Sequence, residues 1–354
     1  MYKYKGSGSY GCVISPSLPC LNKNESVDNS NTKSNNKQTK IVSKLFFEND
    51  KYIEEIKLMN KVRQLKKTFG VVKLVKNHCR AIPDQSVINL CNHNSNETFQ
   101  SSSIYQIIYE DGGKSIDDFE TFTYNQAYSI IMNMENVFKF LEYLNVKNGL
   151  YHVDIASRNI LYNEKTNEVF LIDFGKLNEG NENASIQKDA PPEFKIKQKY
   201  IERRHLKWNN KHEMRSILFP NEDTYNSKLQ EVQNAAYNLS YHELFYKLDS
   251  FMLGVVISEI CERSILLIYN PVFGNKPDDL IKPFVEFVQI LLINVLEFNP
   301  KKRWSYPEIL KHYKQFKASE KKRLKNLSRA FSKKELSFVM DKIEQDGQKI
   351  KENL

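Results

Sequence analysis

The sequence has few cysteines, no long apolar run and no apolar leader, and each of these absences excludes a class of protein. Its five cysteines are widely spread and odd in number, which predicts no disulfide framework and favours an intracellular location, cytoplasmic or nuclear. Cys79 and Cys91 lie near His78 and His93, but their spacing matches no common zinc-binding pattern. The first residues form no apolar stretch, so no secretory signal is expected. Residues 284–298 are apolar but interrupted by polar side chains, which predicts a buried helix and no membrane span.

The composition is that of a folded, basic protein. Of the 354 residues, 40% are hydrophobic, which is enough for a sizeable core and excludes a wholly disordered chain. The formal net charge of +9 favours acidic substrates, nucleic acids or anionic membranes as partners, although a lysine-rich surface explains the same charge. Charge by itself therefore does not decide the function.

The hydrophobic pattern of the first part of the chain is that of strands. Residues 2–14 predict two short strands joined by a glycine turn, and further strands are expected at residues 71–75 and 103–110. Residues 51–66 follow a helical period. Residues 15–40 are rich in Asn, Ser and Lys and cannot bury a core, which predicts a disordered loop.

Helices dominate the rest of the pattern. A helix is expected over residues 124–147, then two short strands near Ile160 and at residues 169–172, and helices again beyond residue 225. The charged tail from Lys317 has apolar residues at helical spacing, which predicts a helix docked on the helical part or on a partner.

These patterns predict an α+β fold with two lobes. A small β-rich lobe is expected at residues 1–111 and a larger α-helical lobe at residues 112–316, followed by the helical tail at residues 317–354.

Glycines are concentrated near the start of the chain, where Gly6, Gly8 and Gly11 alternate with polar residues. Glycines let a backbone approach phosphate groups closely and point N–H groups at them. In a dinucleotide-binding fingerprint such a segment opens a helix, whereas here a polar loop and a strand follow it. By itself the segment fits a phosphate-binding loop or an ordinary glycine hairpin.

A lysine and a glutamate on the next predicted elements favour the phosphate-binding interpretation. Lys44 lies on the strand after the loop, from which its ammonium group can reach phosphates. Glu55 lies on the following helix, where its carboxylate can hold that ammonium group. Glu54 is the neighbouring candidate, but Ile56 and Met59 fit a helix packed inward and favour Glu55.

The segment HVDIASRNIL, followed closely by LIDFG, has the strongest chemical signature in the chain. Asp154 can accept a proton from a substrate hydroxyl and orient it. Asn159 and Asp173 supply hard oxygen ligands of the kind that Mg²⁺ prefers. The spacing predicts that the three side chains lie on neighbouring strand ends.

In this order, the motifs resemble the signature set of the eukaryotic-type protein kinase family. The resemblance extends to three later motifs. APPE at residues 190–193 resembles the motif that closes the activation segment, DSFMLG at residues 249–254 resembles the central helix that anchors the catalytic loop, and NPKKR at residues 299–303 resembles the late arginine motif. It implies a bilobal protein-kinase-like fold and an enzyme that transfers the γ-phosphate of ATP to protein serine or threonine hydroxyls. It also implies a buried ion pair between Glu193 and Arg303.

The resemblance implies a role for each candidate residue. The glycine loop covers the phosphates, the hinge binds adenine, and apolar side chains line the adenine pocket, although these would also be ordinary core. ATP and Mg²⁺ are the expected cofactors, with Mn²⁺ as an alternative metal. The implied residues are catalytic Asp154, Lys44, Glu55 and Arg158; metal-binding Asn159 and Asp173; phosphate-covering Gly6, Ser7, Gly8, Ser9 and Gly11; hinge residues Glu110 and Asp111 after the gatekeeper Tyr109; and pocket-lining Val13, Val42 and Leu161.

The sequence departs from the family pattern in the segment HVD, at the residue between His152 and Asp154. Val153 stands where the family has an arginine that grips a phosphorylated activation loop. The loop between Gly175 and Ala190 offers one hydroxyl, that of Ser185. Both features predict activity that does not require phosphorylation of this loop.

A second departure concerns the hydroxyl that is phosphorylated. Ala156 replaces the lysine that serine/threonine kinases usually have, and Arg158 resembles the tyrosine-kinase version of the loop. Serine/threonine specificity is favoured because the chain has no other tyrosine-kinase feature. A tyrosine or dual-specificity kinase stays open as the alternative.

The expected partner is a protein substrate. Residues 194–245 form an insert relative to the family, and its basic first part, with Arg203 and Arg204, offers a docking surface for acidic substrates or is simply a solvated helical insert. No membrane span and no nucleic-acid partner are expected, and the chain is expected to be a monomer. Two further alternatives are a pseudokinase that only binds ligands and a small-molecule phosphotransferase of kinase-like fold.

Overall fold

The computed structural model describes residues 2–8, 11–21, 40–94, 103–180, 191, 222–236, 239–269, 275–330 and 332–352. The chain divides into two compact units, Met1–Gly113 and Lys114–Leu354, here called unit 1 and unit 2. Unit 1 contains an antiparallel sheet and unit 2 is mainly helical. The predicted α+β class, with a small sheet first and helices after it, is therefore confirmed.

Unit 1 is built on one five-stranded sheet with the strand order β1-β2-β3-β5-β4, and all neighbouring strands are antiparallel. Its strands are short, and those at residues 41–46 and 104–110 are rich in β-branched and aromatic residues, which suit a pleated, half-buried surface. The elements are β1 (Lys3–Gly8), β2 (Gly11–Ser15), β3 (Ile41–Phe46), α1 (Asn49–Arg63), β4 (Asn77–Ala81), α2 (Gln85–Asn94) and β5 (Ile104–Glu110).

Apolar side chains of the sheet and of α2 form one buried core in unit 1. Alternation along β2 turns Cys12 and Ile14 to this core, and Val87, Ile88 and Cys91 face it from α2. The sequence pattern did not predict α2, because its apolar stripe is only a few residues long and is flanked by polar ones.

The strand predicted at residues 71–75 is wrong. Val71 and Val72 are buried, which explains their apolar pattern, but the sheet strand is β4, at residues 77–81. The partner strand decides this outcome, because Asn77 of β4 pairs with Ile108 of β5 and the ladder continues to Ala81. Tertiary pairing therefore overrides the local β-propensity of residues 71–75.

The prediction of a disordered loop is wrong for residues 15–21. Leu18 is buried, and the side chain of Gln106 on β5 accepts its backbone N–H at 3.1 Å and donates to its carbonyl oxygen at 2.7 Å. The backbone N–H of Leu21 donates to the carbonyl of Arg80. Residues 15–21 are thus ordered by a buried glutamine that is distant in sequence, and residues 22–39 lie outside the described ranges.

The expectation of unpaired cysteines is wrong for four of the five. Cys12 is paired with Cys91, and Cys20 with Cys79, with Cα–Cα separations of 5.9 and 5.8 Å that lie within the usual disulfide range. The zinc alternative fails because both of its cysteines are bonded elsewhere. The partners are 79 and 59 residues apart, so only the folded sheet brings them together. Cys261 is free, and burial raises the pKa of its thiol.

Unit 2 combines a small sheet with a set of helices. Its three strands pair in the order β6-β7-β8, and the long helices carry apolar stripes at the helical period. Among the described residues, no helix is long and apolar enough to cross a membrane. The elements are β6 (Lys114–Ser115), α3 (Tyr124–Glu142), β7 (Ile160–Asn163), β8 (Glu168–Leu171), α4 (Glu222–Ala236), α5 (Tyr241–Tyr246), α6 (Leu248–Glu262), α7 (Lys282–Val295), α8 (Tyr306–Ala330) and α9 (Lys333–Glu352).

Helix α6 is the most deeply buried helix of unit 2. Nearly all of its side chains are buried, so it is apolar on every face. Gly254 has no room for a side chain, because an added Cβ would lie 2.7 Å from a methyl group of Val295 on α7. A helix held from all sides in this way is a rigid anchor for the loops beside it.

The charged tail docks on its own unit. The carboxylate of Glu344 on α9 accepts the backbone N–H of Tyr124 at 2.6 Å, which caps the start of α3. Gly347 packs against Ile265, where an added Cβ would lie 3.0 Å from a methyl group. Ile343 is buried, but Phe338 is 71% exposed. The predicted helical tail is therefore present as two helices, the second half of α8 and all of α9, and unit 2 itself covers part of the apolar face of α9.

Glu135 joins α3 to α8 and gives unit 2 a pH-dependent contact. Its carboxylate pairs with Lys139 at 2.8 Å and with Lys317. Burial acts to raise the pKa of Glu135, but hydrogen bonds from the two lysines lower it overall below 4.5. A lowered carboxyl pKa stabilises the fold above pH 4.5, and the contribution is lost as the pH falls through the lower folded-state value.

Replacing Glu135 with glutamine is therefore expected to lower the free energy of unfolding by about 1 kcal/mol at neutral pH, because the lysines are partly exposed and screened. The difference from wild type should shrink as the pH falls below 4.5. Urea unfolding of both proteins across this pH range measures it. Glu286→Gln, at an exposed position of α7, is the matched control. A difference that does not change with pH would contradict the ion-pair explanation.

Candidate functional site

The glycine segment forms the β1–β2 hairpin of unit 1. Gly6 pairs with Val13 and Gly8 with Gly11, with a register shift between Tyr4 and Gly6. Gly6 has a φ of 156°, which L-residues rarely adopt. Gly11 lies so close to β3 that an added Cβ would be 1.7 Å from the carbonyl oxygen of Leu45. These two glycines are required by the backbone of the hairpin, whatever it binds.

Lys44 and Glu55 form a buried ion pair in unit 1. The ammonium nitrogen of Lys44 lies 2.8 Å from both carboxylate oxygens of Glu55. The side chains are only 16% and 8% exposed, so water screens the pair weakly. Lys44 lies on β3, opposite Val13 of β2 and Ile107 of β5, and α1 carries Glu55. This is the partner predicted from the sequence; Glu54 instead pairs with Lys51.

The predicted hinge residues end β5 and are held by lysines. Glu110 pairs with Lys76 at 2.6 Å and Lys73 at 3.8 Å, and the hydrogen bond from Lys76 is the main reason that its pKa is lowered. The backbone N–H of Asp111 donates to the carbonyl of Lys40. Tyr109 pairs in register with Val42 of β3. Val42 and Val13, the predicted pocket-lining residues of unit 1, are both half-buried.

In unit 2, the segment from His152 to Asn159 is anchored on α6. Asp249, in the first turn of α6, accepts the backbone N–H of His152 at 2.8 Å and that of Val153 at 2.9 Å. Asp249 is fully buried, and this burial raises the pKa of its carboxyl against the opposing effects of His152 and the two N–H groups. The two bonds fix the backbone immediately before Asp154.

Val153, directly before Asp154, and Asp173, of the D-F-G motif, have a left-handed backbone. Val153 has a φ of 54° and Asp173 a φ of 61°. A β-branched residue such as valine is a strong outlier there, so the surrounding contacts must hold it. The hydrogen bond from the backbone N–H of Val153 to Asp249 is one such contact, and the burial of the Val153 side chain is another. Strain of this kind is concentrated at functional sites more often than elsewhere.

The carboxylate of Asp154 is nearly buried and meets two cations. A guanidinium nitrogen of Arg158 lies 2.6 Å from Oδ1, and the ammonium nitrogen of Lys176 lies 3.4 Å from Oδ2. The side chain of Asp154 is 7% exposed, while those of Arg158 and Lys176 are 47% and 37% exposed. The sequence did not predict the contact of Lys176 with Asp154. Lys176 directly follows the D-F-G motif, but the spacing of the motifs does not indicate where its side chain points.

Hydrogen bonds hold Asn159 to the backbone of Asp154 and to Ile172, the residue directly before Asp173. The side-chain nitrogen of Asn159 donates to the backbone carbonyl of Asp154 at 2.7 Å, and the N–H of Ile172 donates to the carbonyl of Asn159 at 3.0 Å. Since its nitrogen is committed to a carbonyl, Asn159 keeps its amide oxygen for another partner. Leu161 follows on β7, half-buried and paired with Phe170 of β8.

Ser157 and His152 are held by further contacts, and that of Ser157 comes from α6. The hydroxyl of Ser157 is hydrogen-bonded to the carboxylate of Glu259, which also pairs with Arg263 at 3.7 Å. His152 packs its ring against Phe174 at 4.8 Å and contacts the carbonyl of Ile172. These supporting residues could not be found from the sequence, because each acts through a partner that is distant along the chain.

Arg303 is buried in unit 2, as predicted for a structural arginine. It is 1% exposed, lies 4.6 Å from the ring centre of Phe251 and donates to the carbonyl of Glu297 at 2.7 Å. Its predicted partner, Glu193, lies outside the described residues. So do Ser9, Ser185, Arg203 and Arg204, and the structure describes Ser7 and Gly8 by their backbone only.

The structure thus brings the predicted residues together in two sets. Lys44 and Glu55 form one set in unit 1. The second set, in unit 2, contains Asp154, Arg158 and Asn159, and Asp173 directly follows Ile172, whose backbone N–H donates to Asn159. Comparison with known proteins adds no relative, because neither a protein-family model nor a curated protein matches the chain.

Proposed function

We propose that this protein is a protein kinase of bilobal, kinase-like fold that transfers the γ-phosphate of ATP to protein hydroxyls in a magnesium-dependent reaction. The observation that carries the proposal is the position of Asp154. Its nearly buried carboxylate follows a backbone segment anchored on Asp249, it meets two cations, and it lies beside Asn159. A fixed carboxylate beside oxygen ligands and cations suits the orientation of a hydroxyl for phosphoryl transfer.

Each residue has a role that its own geometry supports. Asp154 orients the attacking hydroxyl and accepts its proton, and Arg158 neutralises charge on the transferred group. Lys44, held on both sides by the carboxylate of Glu55, steadies the α- and β-phosphates. Phosphoryl transfer needs positioning and charge neutralisation more than covalent participation of the protein, and the two residue sets supply both.

The metal-binding residues fit magnesium. Mg²⁺ in kinases supplies charge neutralisation at the phosphates and is held by few protein oxygens, because it keeps several waters. Asn159 has its amide oxygen available, since its amide nitrogen donates to the carbonyl of Asp154. Asp173 supplies the carboxylate. Among the described residues, no group of three or more His, Cys, Asp or Glu could hold a metal, so a site with many carboxylate ligands is not favoured there.

Serine or threonine is the proposed acceptor, and tyrosine is the second candidate. The observation that favours tyrosine is the contact between Arg158 and Asp154 at 2.6 Å, in a loop where Ala156 replaces the expected lysine. Analysis of phosphoamino acids in a labelled substrate separates the two candidates.

The proposal is tested by incubating the purified chain with radiolabelled ATP, Mg²⁺ and a degenerate peptide library. Transfer of label to peptides that depends on Mg²⁺ is the expected result. Binding of ATP without transfer would identify a pseudokinase. Transfer to a small molecule in place of peptides would identify a phosphotransferase of another class. Either outcome would overturn the proposal.

The ion pair of unit 1 gives a matched test of the phosphate-binding role. Glu55→Gln removes the charge that holds Lys44, and a charge-assisted hydrogen bond contributes about 1.5–3 kcal/mol. The catalytic efficiency kcat/KM for ATP is therefore expected to fall roughly 10- to 100-fold. Glu54→Gln, the neighbouring carboxylate that pairs with Lys51, should leave it unchanged. Equal losses in both variants, measured by steady-state kinetics, would remove the specific role of Glu55.

A further inference from the structure

Both oxygens of the Asp154 carboxylate face a cation, and the two cations come from different segments. Arg158 belongs to the same loop, four residues after Asp154, whereas Lys176 follows the D-F-G motif. The ammonium nitrogen of Lys176 lies 3.4 Å from Oδ2, close enough for an ion pair with a nearly buried carboxylate. No motif of the sequence assigned a role to this lysine.

The backbone on both sides of Lys176 is fixed. On one side, the N–H of Leu177 donates to the carbonyl of Phe174 at 3.0 Å and closes a tight turn around Lys176. On the other side, Asn178 and Tyr151 exchange both backbone hydrogen bonds, at 2.8 Å each. Tyr151 directly precedes the loop that contains Asp154. The approach of Lys176 to Asp154 therefore follows from the placement of the backbone and not from a long side chain on a loose segment.

We propose that Lys176 is a positioning residue for phosphoryl transfer, which holds Oδ2 of Asp154 and adds positive charge beside the acceptor hydroxyl. This inference rests on the proposed kinase function. The chain has Ala156 at the position where the resemblance leads one to expect a lysine, and Lys176 brings a lysine to the same loop from another segment.

The chemistry of lysine suits this role. Its ammonium group is a compact charge with three N–H donors, so it can hold Oδ2 of Asp154 and keep a full positive charge beside the acceptor hydroxyl. Charge that is already in place before the reaction stabilises a transition state without the cost of reorganisation. Arg158, on Oδ1, leaves the second oxygen to Lys176, so the two cations together fix the rotation of the carboxylate.

Four variants test the proposal in the full chain. Lys176→Met is expected to lower kcat roughly 10- to 100-fold with little change in KM for ATP, because the charge acts beside the hydroxyl. Lys176→Arg should retain activity within about threefold, since it keeps the charge. Adding Ala156→Lys to Lys176→Met should restore part of kcat. Lys165→Met, at an exposed position in the turn after β7, is the control and should not change kcat.

The outcomes separate the inference from the function beneath it. If the wild-type chain transfers phosphate and Lys176→Met has the same kcat, the inference fails and the kinase proposal stands. If Lys176→Met lowers kcat only in proportion to a loss of thermal stability, and Ala156→Lys restores nothing, Lys176 is structural and the inference also fails. If the wild-type chain transfers no phosphate to peptides, the proposed function fails and the inference falls with it.

Discussion

Replacing Asp154 with asparagine is expected to reduce phosphate transfer roughly 10²- to 10⁴-fold, the range typical of a residue that accepts a proton in the transition state. An amide has nearly the same shape but accepts no proton at neutral pH. It also offers no charge to Arg158 and Lys176, which now hold the carboxylate. Binding of MgATP should change little, because the residue set that includes Lys44 and Glu55 is left intact.

The measurement has two parts. Single-turnover transfer from labelled ATP to a peptide gives the rate of the chemical step, and fluorescence titration gives the affinity for MgATP. Asp341→Asn, at an exposed position of α9, is the control for the same chemical change. A variant at Asp154 that retains more than about a tenth of the wild-type rate would rule out proton acceptance by this residue.

Asp249→Ala is expected to destabilise unit 2 by roughly 2–6 kcal/mol. The carboxylate accepts the backbone N–H groups of His152 and Val153 in a fully buried place, and each buried donor left without an acceptor costs about 1–3 kcal/mol. Val153 adds to the effect, because its left-handed backbone needs contacts of this kind to be held. Asp249→Asn keeps one acceptor oxygen, so it should lose about half as much.

Chemical denaturation measures these losses, and hydrogen exchange locates them. In the asparagine variant, the amides of residues 151–159 should exchange much faster than in wild type, while those of β1 to β5 in unit 1 should not change. Asp341→Ala, on the surface of α9, should lose less than about 0.5 kcal/mol. If Asp249→Ala were equally mild, the loop would have to be held by other contacts, and Asp249 would not be its anchor.

Local chemistry allowed several parts of the structure to be predicted correctly. The helical period of residues 51–66 corresponds to α1, and the pairing of Glu55 with Lys44 follows from its inward-facing position on that helix. The strands β7 and β8 follow from short apolar runs. These features depend on residues that are close in sequence, and the spacing of hydrophobic residues along the chain therefore predicts them.

Other features could not be predicted because they depend on partners that are distant in sequence. The strand predicted at residues 71–75 is displaced to residues 77–81 by pairing with β5, and Gln106 orders residues 15–21. The cysteine pairs join residues 79 and 59 positions apart. In each case a short segment satisfies its hydrogen bonds or buries its side chain on another part of the chain, so its local pattern is not sufficient.

The same division holds for the candidate site. The sequence alone determined which residue types are present and in which order, and its motifs predict that Asp154, Asn159 and Asp173 act together. The resemblance already implied that the helix beginning near Asp249 anchors the loop. The tertiary structure decided which backbone N–H groups the carboxylate of Asp249 accepts and that Lys176 reaches the second oxygen of Asp154. Motif spacing specifies which groups are available, but their directions follow from backbone hydrogen bonds to residues that can be nearly a hundred positions away, and only the folded chain forms those bonds.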